Sequence, residues 1–287
     1  MQNSTEKEVG ISLDYWMKWQ VPVCAFIILV PACVSIYLIK NKSRIPEAQN
    51  SSELLWVPSW RKLSPKWLLF YRALAFLIMA FLLFQMILFS GLFAFYFYTQ
   101  WTFTLVMVYF GIGTIISAQG CFKSSNKAHQ GAGLLGTLML VIYQTSAAAS
   151  VLTDLVFWVI LVPMMAGKQF ELTLLIGCIH SLNAVFLLID SLLNALPFQW
   201  FGFNYFILYS IIYVTFQWIL HVSGSNWWPY PFLELATPTA PLWYLGLAVV
   251  HVPCYAVYLW FVRGKNWMFS KLFQQAFVTR SQQQKTS

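Results

Sequence analysis

Charge is what this sequence has least of. Nine acidic and seventeen basic side chains serve 287 residues, a charged fraction of 9%, against about 25% in an ordinary soluble domain. With 59% of the residues hydrophobic, a soluble fold could not hide so much apolar surface, so the chain reads as a polytopic membrane protein. No polar segment exceeds about thirty residues, which leaves no room for a separate soluble domain. The five cysteines, Cys24, Cys33, Cys121, Cys178 and Cys254, show no C-x-x-C or zinc spacing and lie in or beside apolar runs, as structural thiols do. Soluble-enzyme signatures are missing as well: there is no G-x-G-x-x-G, phosphate-binding loop, G-x-S-x-G or H-E-x-x-H. The net charge of +8 sits mostly in loops and tail, which makes membrane lipids the expected partner and nucleic acid not one.

Seven apolar runs predict an all-α bundle of seven transmembrane helices. They fall at Val21 to Ile39, about Trp67 to Phe97, Trp101 to about Ala118, within Leu134 to Met165, Phe170 to Leu193, about Trp200 to His221 and about Leu242 to Val262. Each approaches or exceeds the ~20 residues needed to cross a bilayer. The first run has its basic cluster after it, which marks an uncleaved span with the N-terminus outside. With seven crossings the inner segments carry six, two, no and five Lys or Arg, and the outer ones two, none, one and none. Thirteen against three puts the C-terminus in the cytoplasm. On that topology the sequons at Asn41 and Asn50 are cytoplasmic and bare, whereas Asn3 lies outside. Residues 1–20 then form an extracytoplasmic N-terminus, 21–262 the transmembrane domain and 263–287 a basic tail. Arg72, near the start of the second span, is expected to snorkel to the cytoplasmic surface. Phe269, Leu272, Phe273, Ala276 and Phe277 repeat at helical spacing, predicting an amphipathic helix lying on the membrane. The loop SGSNWWPYPFLELATPTAP, aromatic and proline-rich, reads as a rigid interfacial cap.

The fifth run, FELTLLIGCIHSLNAVFLLIDSLL, holds His180, Asn183 and Asp190 inside an otherwise apolar stretch. An aspartate at mid-membrane costs about 2.5–3.5 kcal/mol on the mild insertion scale. At 100° per residue His180, Asn183, Leu187 and Asp190 share one quadrant, so the stripe is expected to face a protein interior. Tyr143, Ser146, Ser150 and Asp154 form a similar stripe on the fourth span. Gln144, Asp154, His180, Asn183, Asp190, His221, His251 and Thr104 are thus the polar groups at membrane depth, expected to converge on a pocket among spans three to six. Interhelical hydrogen bonding is the plain alternative, worth about 0.6–2 kcal/mol per contact. No helix carries two strong metal ligands at i, i+3 or i, i+4, so no metal or other cofactor is expected. His180 is the natural base for nucleophilic chemistry. Asp190 cannot orient it, because ten residues of helix span about 15 Å, whereas Asp154 on the preceding span can. Thr104, Ser150 and Cys178 are all candidate nucleophiles on spacing.

The segment WILHVSGSNWWPYPFLE (Trp218 to Glu234) resembles the W-x-x-H-x-[ST]-G…W-x-Y-P-F-L-E segment of the androgen-induced and androgen-dependent TFPI-regulating family, and the YP-x-L-[DE] loop of the rolling stone family. DLVFW (Asp154 to Trp158) followed by His180 is similar in order and spacing to both. The resemblance covers about Trp67 to Val262; the extra first span brings the chain closer to the rolling stone type. The androgen-induced proteins are intramembrane hydrolases of fatty acid esters of hydroxy fatty acids, using a threonine and a histidine. The resemblance implies His180 as the histidine. The family threonine follows a W-x-F pair, matched by Trp101 and Phe103; its ungapped position is Leu105, so Thr104 takes the role with a shift of one residue. The implied enzyme is a fatty acyl ester hydrolase with Thr104 as nucleophile, His180 as base, and Asp154, Asn183 and His221 supporting or binding. The rolling stone relation implies instead a non-catalytic role in adhesion, fusion or scaffolding. A transporter is disfavoured by the lack of an internal repeat or paired Gly/Pro-broken helices.

Overall fold

A computed structural model describes residues 13–41, 52–122, 133–165, 173–225 and 227–278. The sequons at Asn3 and Asn50 and half of the Lys and Arg in the charge count (Lys7, Lys42, Arg44, Lys123, Lys127, Lys168, Arg280 and Lys285) lie outside the described residues. Among the described residues the chain is all-helical, with isolated β-bridges in place of strands. A short α1 (Leu13–Trp16) precedes α2 (Gln20–Asn41), α3 (Pro65–Ser90) and α4 (Tyr98–Phe122). There follow α5 (Gly133–Leu155), a π-helical stretch Val156–Leu161 and α6 (Val162–Met165), then α7 (Leu174–Ile179), α8 (Leu182–Leu193), α9 (Phe203–Val222) and α10 (Ala240–Leu272). Seven helical stretches are long and apolar enough to cross a membrane, each matching one expected run.

Local chemistry sets several boundaries. Ser64 caps α3 through its side chain, with Pro65 at the first helical position where its missing N–H costs nothing. The helix stops at Gly91, whose φ of +61° suits a residue without a Cβ. A 3₁₀ turn at Gly91–Tyr96 then leads straight into α4, so α3 and α4 pack as a hairpin. Large apolar side chains such as Phe81, Leu88 and Trp260 are exposed on the outside, as befits a protein whose solvent is hydrocarbon.

Three expectations are corrected. The fifth span is not one helix but two, broken at His180 and Ser181. The His180 carbonyl at the break is satisfied by the Trp158 indole N–H at 3.1 Å, the partner that irregular backbone needs at membrane depth. Second, Arg72 does not snorkel: its side chain is fully buried and ion-paired. Third, the aromatic repeat at 269–277 is not a separate surface helix. The last span continues unbroken to Leu272, past the expected boundary at 263, and the chain then turns back on itself. Phe277 is buried beside Trp60, Phe269 and Phe273, and bridges between Trp60 and Phe277 tie this end to the 59–61 segment. Within that last helix Lys265 is buried too, donating to the carbonyls of Ser191 (2.6 Å) and Asn194 (3.0 Å).

Candidate functional site

Two polar centres emerge, one around Asp190 and one around Ser210 and His251. The first gathers around Asp190 on α8. Arg72 Nε of α3 meets Asp190 Oδ1 at 3.0 Å, with neither side chain exposed to solvent. The guanidinium also donates to the Leu55 carbonyl (2.7 Å) and Ser117 Oγ (2.8 Å). The other carboxylate oxygen accepts from the Tyr109 hydroxyl and from Asn194 Nδ2. Gly113 on α4 makes room for this cation, since a Cβ there would lie 3.2 Å from Arg72 Cδ. Beside it, Ser191 links the hydroxyls of Tyr143 (2.6 Å) and Tyr258 (2.7 Å). A buried charge with this many partners ties α3, α4 and α8 together and leaves little of Asp190 to react.

The residues expected to form a catalytic centre are distributed differently. Asp154 and Asn183 do meet, Asn183 Nδ2 donating to Asp154 Oδ1 at 3.2 Å. His180 lies against the π-helical stretch, its ring stacked on Phe157 with centroids 3.5 Å apart; single π-turns of this kind recur at functional sites. Its Nδ1 is buried without a hydrogen-bond partner, and so is Thr104 Oγ1. The two side chains therefore share no hydrogen bond. His221, in the last turn of α9, packs against the following loop: it stacks on Trp228 at 4.2 Å and touches Tyr15 and Trp16. There Tyr15 donates to Glu234 Oε1 at 2.6 Å, and burial, then that bond, holds the Tyr15 hydroxyl well above the ordinary tyrosine range.

The second polar centre borders two cavities. One, of about 560 Å³, lies between α2, α9 and α10, a volume typical of small-molecule sites. Aliphatic side chains such as Ile27, Ile207 and Leu247 make its walls. Val34 and Val252 on its lining are 51% and 44% exposed, which opens it sideways to the lipid-facing surface. The buried polar groups on its lining are Ser35, Asn204, Ser210 and His251. A smaller cavity of about 100 Å³, lined from α4, α5, the π-helical stretch, α9 and α10, shares Ser210 and His251 with the first. The larger cavity is built on spans one, six and seven, outside the expected pocket among spans three to six, whereas the smaller one draws on spans three, four and six together with span seven. Thr104, Asp154, His180, Asn183 and His221 line neither. Phe157 lines the smaller one while stacking on His180.

His251 stands out in the sequence as a polar group inside a span, whereas Ser210 and Tyr98 do not. His251 Nε2 lies 2.9 Å from Ser210 Oγ, and Ser210 Oγ lies 2.8 Å from the Tyr98 hydroxyl. The available signal was a serine and a histidine near the middle of otherwise apolar spans; a lone serine in a span is too common to single out. No metal-binding group of three or more His, Cys, Asp or Glu side chains occurs among the described residues. Comparison with protein-family models, with characterised proteins and with solved structures gives no match for this chain.

Proposed function

We propose that this multi-pass membrane protein draws single fatty acyl chains from the bilayer into the cleft between α2, α9 and α10 and acts on their esters. The cavity carries the reading: an apolar space of about 560 Å³ with a lipid-facing rim and buried hydrogen-bonding groups at its inner end. An acyl chain gains nothing by leaving lipid for an equally apolar wall. A carbonyl headgroup does gain, because hydrocarbon offers it no donor and the cleft does. The likeness of Trp218 to Glu234 to the androgen-induced family points toward the same substrate class.

The version of this reading that uses Thr104 as nucleophile and His180 as base has one supporting observation. Thr104 Oγ1 and His180 Nδ1 are both buried and unpartnered, so neither atom is committed to another protein group, although neither residue lines the cleft. It requires the ester to bridge two groups that do not bond to one another. His180→Ala tests it: turnover of acyl esters unchanged by that substitution rejects it.

A photoreactive fatty acid, with a diazirine near its methyl end, tests the uptake itself on the full chain in lipid nanodiscs. Cross-links are expected on the wall residues Ile27, Ile207 and Leu247, competed by unlabelled fatty acid. Labelling no heavier there than at the outward-facing Phe81 of α3 would reject the proposal. A second reading, a non-catalytic role in adhesion, fusion or scaffolding, is favoured by the buried pairing of Asp190 with Arg72, Tyr109 and Asn194. It predicts that His180→Ala lowers stability while no hydrolysis occurs in the native protein.

A further inference from the structure

We infer that Ser210 and His251 are a nucleophile–base pair that cleaves long-chain acyl esters, with Tyr98 as the donor to the oxyanion. The inference rests on the acyl-uptake reading above and gives it a chemistry that neither Thr104 nor His180 supplies.

The hydrogen-bond directions at this centre are fixed by one atom that can only accept. His251 Nδ1 lies 2.5 Å from the carbonyl oxygen of Leu247, one turn earlier on α10. A carbonyl has no proton to give, so Nδ1 carries one and the neutral ring presents a lone pair at Nε2. Ser210 Oγ, 2.9 Å away, therefore donates to Nε2. Its remaining lone pairs face Tyr98, whose hydroxyl at 2.8 Å is the donor. The chain Tyr98 → Ser210 → His251 → Leu247 thus runs one way. It has the parts that nucleophilic catalysis asks for: a hydroxyl on a base, and the base held in one tautomer by a third group. The backbone carbonyl takes the place of the usual carboxylate. The Phe206 ring, 4.7 Å from the imidazole, gives the transient imidazolium a further partner.

Placement sets the substrate class. Ser210 and His251 lie on the boundary between the two cavities. An ester carbonyl at Ser210 would leave its acyl chain in the larger apolar cavity, with the smaller one open to the alcohol portion. In the first half-reaction Ser210 Oγ bonds to the carbonyl carbon and its proton passes to His251 Nε2. The carbonyl π pair moves onto oxygen, where the Tyr98 hydroxyl donates to it. As the oxyanion collapses, the bond to the alkoxide breaks and His251 returns the proton to that leaving group, releasing an alcohol. In the second half-reaction water gives a proton to Nε2 and its oxygen bonds to the acyl carbon. The Ser210 ester bond breaks, Oγ regains the proton, and a fatty acid leaves.

Interhelical glue is the plain alternative, since serine and histidine often bond between membrane helices; glue forms no covalent adduct. The test uses the full chain in nanodiscs with a long-chain alkyl fluorophosphonate and with p-nitrophenyl palmitate, each variant being checked for retained fatty-acid cross-linking. The expected result is one adduct on the peptide bearing Ser210, lost in Ser210→Ala. His251→Ala should slow labelling and ester turnover by about 100-fold or more, and Tyr98→Phe by about 10- to 100-fold, most of it in kcat. A native protein that cross-links the fatty acid in the cleft but takes no fluorophosphonate overturns the pair and leaves acyl uptake standing. Failure of both overturns the uptake reading as well. An adduct on Thr104 with Ser210 unmodified overturns the inference in favour of the other pair.

Discussion

Arg72 and Asp190, 118 positions apart in the chain, meet at 3.0 Å with neither side chain exposed. Everything packed around them follows from that pairing: Tyr109 and Asn194 on the carboxylate, Ser117 and the Leu55 carbonyl on the guanidinium. Removing one member strands a charge where neither water nor lipid can solvate it. Arg72→Met or Asp190→Leu is expected to cost about 3–5 kcal/mol in folding stability. The double variant should cost clearly less than the sum of the two. Thermal unfolding in a mild detergent measures all three, and additive losses would mean that the two side chains act independently.

Gly202, just before α9, sits against the Tyr255 hydroxyl and the Gln144 amide. Tyr255 also donates to the Gln199 carbonyl there, and Gln199 N–H donates to Gln144 Oε1 at 2.9 Å. A methyl at 202 would have to displace this buried pair. Gly202→Ala is expected to lower stability by about 1–3 kcal/mol, while Gly246→Ala, with open space beside it, should stay near the native value.

Ala248 lines the larger cavity. Ala248→Trp should fill the cleft and suppress fatty-acid cross-linking at Ile207 by tenfold or more, while the melting temperature stays close to that of the native chain. Undiminished cross-linking would place the bound chain elsewhere.

Topology gives a prediction of another kind. If the N-terminus lies outside, as the Lys and Arg count predicts, the Asn3 sequon is expected to be glycosylated when the chain is made in a glycosylating membrane, and those at Asn41 and Asn50 to stay bare. Mass shifts on endoglycosidase treatment of Asn3→Gln, Asn41→Gln and Asn50→Gln variants decide it; a shift that depends on Asn41 or Asn50 inverts the topology.

The count and type of the elements were legible because nothing else explains seven apolar runs of spanning length. The stripe on the fifth span was legible too: Asn183, Leu187 and Asp190 are all fully buried. Its partner was not. A cation two turns into a span looks the same in sequence whether it snorkels or turns inward, and the space beside Gly113 that admits Arg72 exists only once α3 and α4 pack. The break at His180 escaped for a related reason, since the carbonyl it leaves over is satisfied by Trp158, 22 positions earlier. The tail repeat was a true apolar pattern, but its partner was Trp60 rather than lipid. Of the second polar centre, only the local half was within reach: His251 bonding back to Leu247 is an i to i−4 relation. Ser210 and Tyr98 join it through helix packing that no spacing rule encodes.

The most direct measurement is a cryo-EM map of the full chain in nanodiscs equilibrated with a long-chain alkyl ketone, a non-hydrolysable analogue that keeps the carbonyl of the ester. Acyl uptake predicts elongated density between α2, α9 and α10, ending within hydrogen-bond reach of Ser210 Oγ. A map in which α2 closes onto α9 and α10 with no space between them, and the ligand lies elsewhere, would contradict it.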